Sequence, residues 1–242
     1  MCYDVPMNKI TLDSKSYPTR LSERLGDKAP SKLYCMGNMG ILDMAGIGFC
    51  GSREASKKAI QTAEDCTSEI VSHNMVAVSG YARGVDEAVH LAALRNGGYT
   101  LIVLPEGIET FKVKSSLKEV WDWKRVLVVS EFEPKAGWQV FRAMQRNLTI
   151  IGLSEAMIVV EARNKGGTIQ AGRQTLNLKR PLFTISYKDN PKEASGNLEL
   201  QKKGAQSLGK NPETNRPNMA KVFHTIANWA GLTRPMYQHS LF

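Results

Sequence analysis

The sequence predicts an α/β protein: an extended Rossmann-like, doubly wound, mainly parallel sheet with helices on both faces. Three observations predict it. Short runs rich in Val and Ile alternate with helix-period stretches along most of the chain. Those runs are apolar throughout, as strands covered on both faces are. Several end in a glycine-rich turn that leads into a helix, the pattern of β-α-β units, whose right-handed crossovers place helices on both sides of the sheet.

The elements follow in order. Residues 1–40 carry Pro6, Pro18 and Pro30 and several glycines, and read as an irregular N-terminal arm with one short helix. A core over residues 41–210 then begins. Its strands are expected at 45–50, 75–79, 100–104, 126–129, 156–160 and 182–185. Helices are expected at 55–73 (Ala59, Ile60, Ala63, Ile70 and Val71 on one side), 86–96, 117–123, 140–153 and 169–178. After Gly204 the run GKNPETNRPN reads as a polar linker. Residues 211–242 thus hold linker, one short helix over 219–230 ended by Gly231, and a loose tail.

Composition limits the function. The chain has 242 residues, and its 42% hydrophobic and 23% charged content is that of an ordinary globular protein. No apolar run reaches the length of a membrane span, and the opening MCYDVPMNKITLDSK lacks the apolar core of a secretory signal, so a cytoplasmic protein is expected. Cys2, Cys35, Cys50 and Cys66 form no C-x-x-C pair and read as idle thiols in a reducing compartment. His73, His90, His224 and His239 are scattered, so neither a metal nor a cofactor is expected, and no G-x-x-x-x-G-K-[ST] loop for ATP is present. The net charge of +9 invites a polyanion, or is a solvated surface; +5 of it falls between Lys179 and Lys221.

Ligands of a doubly wound sheet sit outside the carboxyl ends of its strands. Three loops there are rich in glycine and cations. The first is Gly51-Ser52-Arg53; the second runs from Ser79 and Gly80 through Arg83 to Gly84, Val85 and Asp86; the third is Glu161 to Lys165, Gly166, Gly167 and Thr168. Glycine allows close approach, helix-start amides attract anions, and Arg adds a forked cation, so together they read as a phosphate-binding rim. Gly46-Ile47-Gly48-Phe49-Cys50-Gly51 satisfies G-x-G-x-x-G, but its first two glycines fall inside the expected strand, so the dinucleotide reading is discounted.

The same residues carry a family resemblance. In order stand Tyr17-Pro18, Lys32-Leu33-Tyr34 with Gly37-Asn38, Gly51-Ser52-Arg53, Ser79-Gly80 with Gly84-Val85-Asp86 and His90, Ser130-Glu131, Arg146-Asn147 with Gly152-Leu153-Ser154, Val160-Glu161-Ala162 with Gly166-Gly167-Thr168, and Gly196-Asn197-Leu198. Over residues 16–208 the chain resembles a divergent member of the DNA-processing protein A (DprA, also called Smf) family. The resemblance implies a Rossmann-like homodimer that binds single-stranded DNA and helps load a RecA-type recombinase, with no catalytic turnover established as its task; the function expected is in DNA processing, recombination or defence against foreign DNA, and no enzyme is expected. It departs at Leu148, where the family has a second Arg, and at Ala143, where it has Phe; Trp138 and Phe141 are the substitutes. From its length the sequence is expected to lack the family's frequent N-terminal helical and C-terminal winged-helix domains.

Each candidate has a plainer reading. Arg53 contacts a phosphate or pairs with Glu54 or Glu64, and Arg146, Arg142 and Lys165 contact nucleic acid or face solvent. Phe141 or Trp138 stacks a base or packs in the core, and Met144 reads as core. Asp86 and His90 resemble an acid–base pair, but better suit a helix cap and its support. A homodimer is also suggested by the apolar strand 182–185 and the amphipathic segment 198–205, a sheet edge that needs covering. The alternative function is a small-nucleotide sensor or nucleoside-monophosphate hydrolase using the same loops as a closed pocket.

Overall fold

The strands that the apolar runs predict all form in the computed structural model, which describes residues 5–189 and 191–233. They are β3 (Gly46–Cys50), β4 (Val76–Ser79), β5 (Thr100–Val103), β6 (Val126–Ser130), β7 (Ala156–Val159) and β8 (Leu182–Ile185). With β1 (Met7–Thr11), β2 (Lys32–Gly37) and β9 (Gln206–Leu208) they make one nine-stranded sheet, ordered β1-β2-β6-β5-β4-β3-β7-β8-β9. Pairing is parallel from β6 through β9 and antiparallel for β1 with β2 and β2 with β6. The mainly parallel doubly wound fold is therefore the one expected.

Alternation along the strands fills a core on each face. Ile47, Phe49, Ala77, Ile158 and Val160 pack with Ala59, Ala63, Cys66 and Ile70 of α2 (Lys57–Ser72) and Val85, Val89 and Ala93 of α3 (Val85–Arg95). Val76, Val78, Leu101, Val129 and Met157 pack with Leu21 and Leu25 of α1 (Thr19–Leu25) and Ile150, Ile151 and Leu153 of α4 (Val140–Leu153). Ile169 of α5 (Gly167–Asn177) and Leu200 of α6 (Ser195–Lys202) complete that face. Gly46 and Gly48 lie inside β3, as their discounting requires, and a Cβ on Gly48 would fall 2.1 Å from the Met157 sulfur.

Four expectations are corrected. The N-terminal arm is not irregular: β1 and β2, joined through the expected short helix, extend the sheet, with Leu33 and Cys35 buried on one face and Tyr34 on the other. Residues 117–123 are not a helix. Trp121 and Trp123 pack edge-on at 5.1 Å, which positions two apart on a helix cannot do; a turn instead gathers them with Phe111 against one face of β5 and β6. The strand 182–185 is not an exposed edge, because β9 pairs with it. The closing helix, α7 (Ala220–Thr233), runs through Gly231; the tail beyond it, Cys2 and His239 lie outside the described residues. No helix among the described residues is long and apolar enough to cross a membrane.

Candidate nucleic-acid interface

The order of strands locates the site. From β3 the chain winds outward through β4, β5 and β6, then returns through α4 across three strands to β7 on the other side of β3. The carboxyl ends of β3 and β7 thus flank a topological switch point, where the sheet opens a crevice. A cleft of about 530 Å³ lies there, and all three glycine loops reach it.

The first loop is longer than the sequence predicts. Helix α2 starts at Lys57, and Ser56 caps it by accepting from the Ala59 N–H at 3.1 Å, which leaves Arg53 in an exposed turn. Glu161, 1% exposed, fixes this turn: its carboxylate accepts from the Ser56 hydroxyl at 2.7 Å and from the Ser56 amide at 3.2 Å. The Arg53 guanidinium lies 6.0 Å from the centre of the Trp138 ring. Gly51 and Gly84 are required by contact between the first two loops: a Cβ on Gly51 would meet Val85 at 2.3 Å, and one on Gly84 would meet the Ser52 carbonyl at 2.3 Å.

In the second loop Asp86 is not the cap. Gly84, with φ +75°, holds that position, and Asp86 reaches back to accept from the Ala82 amide at 3.2 Å. Ser79 is buried and donates to the Phe49 carbonyl, tying β4 to β3. His90 is fully buried between the Gly80 carbonyl and Thr100 Oγ1, and burial pushes its imidazole down to about 4, so it is neutral and structural. Lys114, from the β5–β6 connection, braces the loop by donating to the Ala82 carbonyl and Glu87. Nothing in the sequence marks Lys114, because its partners are far along the chain.

The third loop becomes the start of α5 two residues earlier than expected. Gly166 takes φ +108° as the residue before the helix, and a Cβ there would meet nothing within 4 Å. The amides of Gly167 and Thr168 donate to no group of the described residues, while the Thr168 hydroxyl donates to the Gly51 carbonyl at 3.0 Å. Arg163 of the same loop, which the sequence does not mark as a site residue, joins the rim paired with Glu54 at 3.6 Å.

The cleft brings together Gly51, Ser52, Arg53, Arg83, Arg146, Asn147, Lys165, Gly166, Gly167 and Thr168 of the expected residues. It does not include Ser79, Gly80, Gly84, Phe141 or Arg142. Arg142 instead donates to the Gly137 carbonyl and lies over the Phe132 and Phe141 rings. Phe141 is 60% exposed and Trp138 46%, so neither is core, and Met144 lines the cleft rather than the interior. Arg146 is a correction of another kind. It does not face solvent: it is 7% exposed, packed over Gly80, and burial lowers its pKa against the opposing pull of Asp86. Arg53, Arg83 and Lys165 are exposed and form the rim, whereas Arg146, Asn147, Asp86 and Glu161 form the floor.

Known proteins share this architecture. The chain is 34% identical over 171 residues to DNA processing protein DprA of Streptococcus pneumoniae, a match covering 70% of this chain and 59% of that relative's length. An X-ray structure of DprA from the same species superposes with a TM-score of 0.74 at 30% identity, covering 84% of this chain and 71% of that one. DprA from Helicobacter pylori, whose structure was described for its unique single-stranded DNA binding mode, superposes with a TM-score of 0.71 at 24% identity, covering 94% and 97%. Residues 8–216 match the family described as DNA recombination-mediator protein A, and the chain belongs to that family.

Proposed function

We propose that this chain binds single-stranded DNA in the β3–β7 cleft and acts in DNA processing or recombination, without turnover of its own. The observation that carries the reading is the rim: exposed Arg53, Arg83 and Lys165 stand around one cleft, with Trp138 and Val140 among its walls and exposed Phe141 beside it. Phosphates meet the cations and bases meet the aromatics, the combination that holds single strands. Family membership and the DNA-binding relative from Helicobacter pylori support the same ligand. The carboxylates on the floor are already engaged by Ser56 and Ala82, which argues against a hydrolase using them. A homodimer and a RecA-type partner rest on family membership alone, since β9 covers the 182–185 edge.

Fluorescence anisotropy with oligo-dT, duplex DNA, oligo-U and labelled mononucleotides tests the reading. Oligo-dT is expected to bind best; duplex binding as tight as oligo-dT would overturn it. Light scattering showing a monomer that retains full DNA binding would remove the dimer. Release of a free base from a nucleoside monophosphate, lost in Asp86→Asn, would promote the hydrolase.

A further inference from the structure

Arg146 has more donors than the protein uses. No hydrogen bond or ion pair forms from its guanidinium among the described residues, and its Nε is buried without a partner. The charges acting on it are Asp86 and Glu131 in its favour and Arg53 against it. Asp86 is the strongest of these, yet it closes no ion pair with Arg146 and accepts instead from Ala82. A buried cation with unmade hydrogen bonds is unfavourable unless an anion completes it. The same cleft holds a second unused set of donors, the Gly167 and Thr168 amides at the start of the 11-residue α5, with open space over Gly166.

We propose that the floor of the cleft takes a terminal phosphomonoester, either at the 5′ end of a DNA strand or on a free nucleoside monophosphate. This rests on the reading that the rim binds single-stranded DNA. A phosphate inside a strand has chain leaving on both sides, so it runs along exposed cations such as Arg53, Arg83 and Lys165. A buried guanidinium is reached by a group tethered on one side only. A phosphomonoester also carries roughly −1.5 to −2 charges near neutral pH and three free oxygens, enough to accept from Arg146 and the α5 amides together. The cleft volume, about 530 Å³, suits one nucleotide inserted end-on.

The test is anisotropy on the whole chain with oligo-dT strands, labelled at the 3′ end, carrying a 5′-phosphate or a 5′-hydroxyl, with an unlabelled circular strand and thymidine monophosphate as competitors. The 5′-phosphate strand is expected to bind about tenfold tighter than the 5′-hydroxyl strand, the effect of one charge-assisted hydrogen bond, and the circle should compete only as well as the 5′-hydroxyl strand. Arg146→Gln should bring the ratio to one. Should that variant misfold, Gly167→Asp sets a carboxylate at an exposed helix start, where it suits the helix but repels the phosphate, and the ratio should again collapse. Thymidine monophosphate competing mole for mole with the 5′-phosphate strand would support the site and identify the free nucleotide as its source. Equal affinity of phosphate, hydroxyl and circular strands overturns this inference and leaves the DNA reading standing. Failure of all strands to bind overturns the DNA reading itself.

Discussion

Arg53 and Arg146 are chemically alike and do different work because of where the chain puts them. Arg53 stands in water against Trp138, so in the proposed complex it acts on phosphates electrostatically and without regard to sequence. Arg53→Ala should lower the log–log salt slope by about 0.7, the share of one phosphate on a single strand, and weaken all sequences alike. Phe141→Ala should leave the melting temperature unchanged, because the ring is 60% exposed, while binding of oligo-dT falls by about 1–3 kcal/mol through lost stacking, with the slope unaltered. His90 works on the fold instead. The unfolded imidazole takes its proton near 6.5 and the buried one only near about 4. Between these values the unfolded chain binds more protons, so stability falls as pH drops through that window and is level above it. The loss is on the order of 3 kcal/mol. Urea midpoints that do not move between about pH 7 and pH 4.5, or that move equally in His90→Gln, would contradict this role for His90.

Glycines of the three loops separate into those the fold needs and those the cleft needs. Gly84 combines φ +75° with a missing Cβ that would sit 2.3 Å from the Ser52 carbonyl, so Gly84→Ala should destabilise by at least about 1–3 kcal/mol and disturb both loops. Gly167 is different: the nearest atom to its Cβ position is the Met144 sulfur at 3.9 Å. Gly167→Ala should therefore keep or raise the melting temperature, since Ala favours the helix, yet weaken DNA by crowding the helix start. Thermal melts and anisotropy on the two variants should give opposite profiles. The sequence makes the central strands and these loops legible because Val- and Ile-rich runs and Gly turns are local signals. It hides β1 and β2, whose runs are broken by Asn8, Lys9 and Lys32 and which pair with each other and with β6 across many residues. It hides the burial of Arg146 for the same reason: a helical Arg reads as solvated until α4 is laid across the sheet. Trp121 and Trp123 mislead in the other direction, since their local pattern suits a helix and their packing demands a turn.

At the scale of the whole molecule, the positive charge that suggests a polyanion is not where the cleft is. The basic stretch from Lys179 to Lys221 spends Arg180 on Glu155, Lys203 on Glu199 and Arg216 on Asp65. Lys179 precedes β8 and Lys202 ends α6 ahead of β9, so both lie toward the amino ends of the strands, away from the carboxyl-end crevice. The cleft draws its cations from other segments, Arg53, Arg83, Arg146 and Lys165. If a bound strand carrying a 5′-phosphate meets all four cations, one phosphate each, the log–log salt slope is about −2.8, and affinity falls about fifty-fold from roughly 50 to 200 mM salt. Removing two distant charges in Lys179→Gln/Lys202→Gln lowers the net charge as much as removing Arg53 and Lys165 does. The two pairs should nonetheless differ: the distant pair leaves the slope near its original value, whereas Arg53→Ala/Lys165→Ala brings it to about −1.4. Equal slopes for the two double variants would mean that net charge, not the switch-point cleft, holds the DNA.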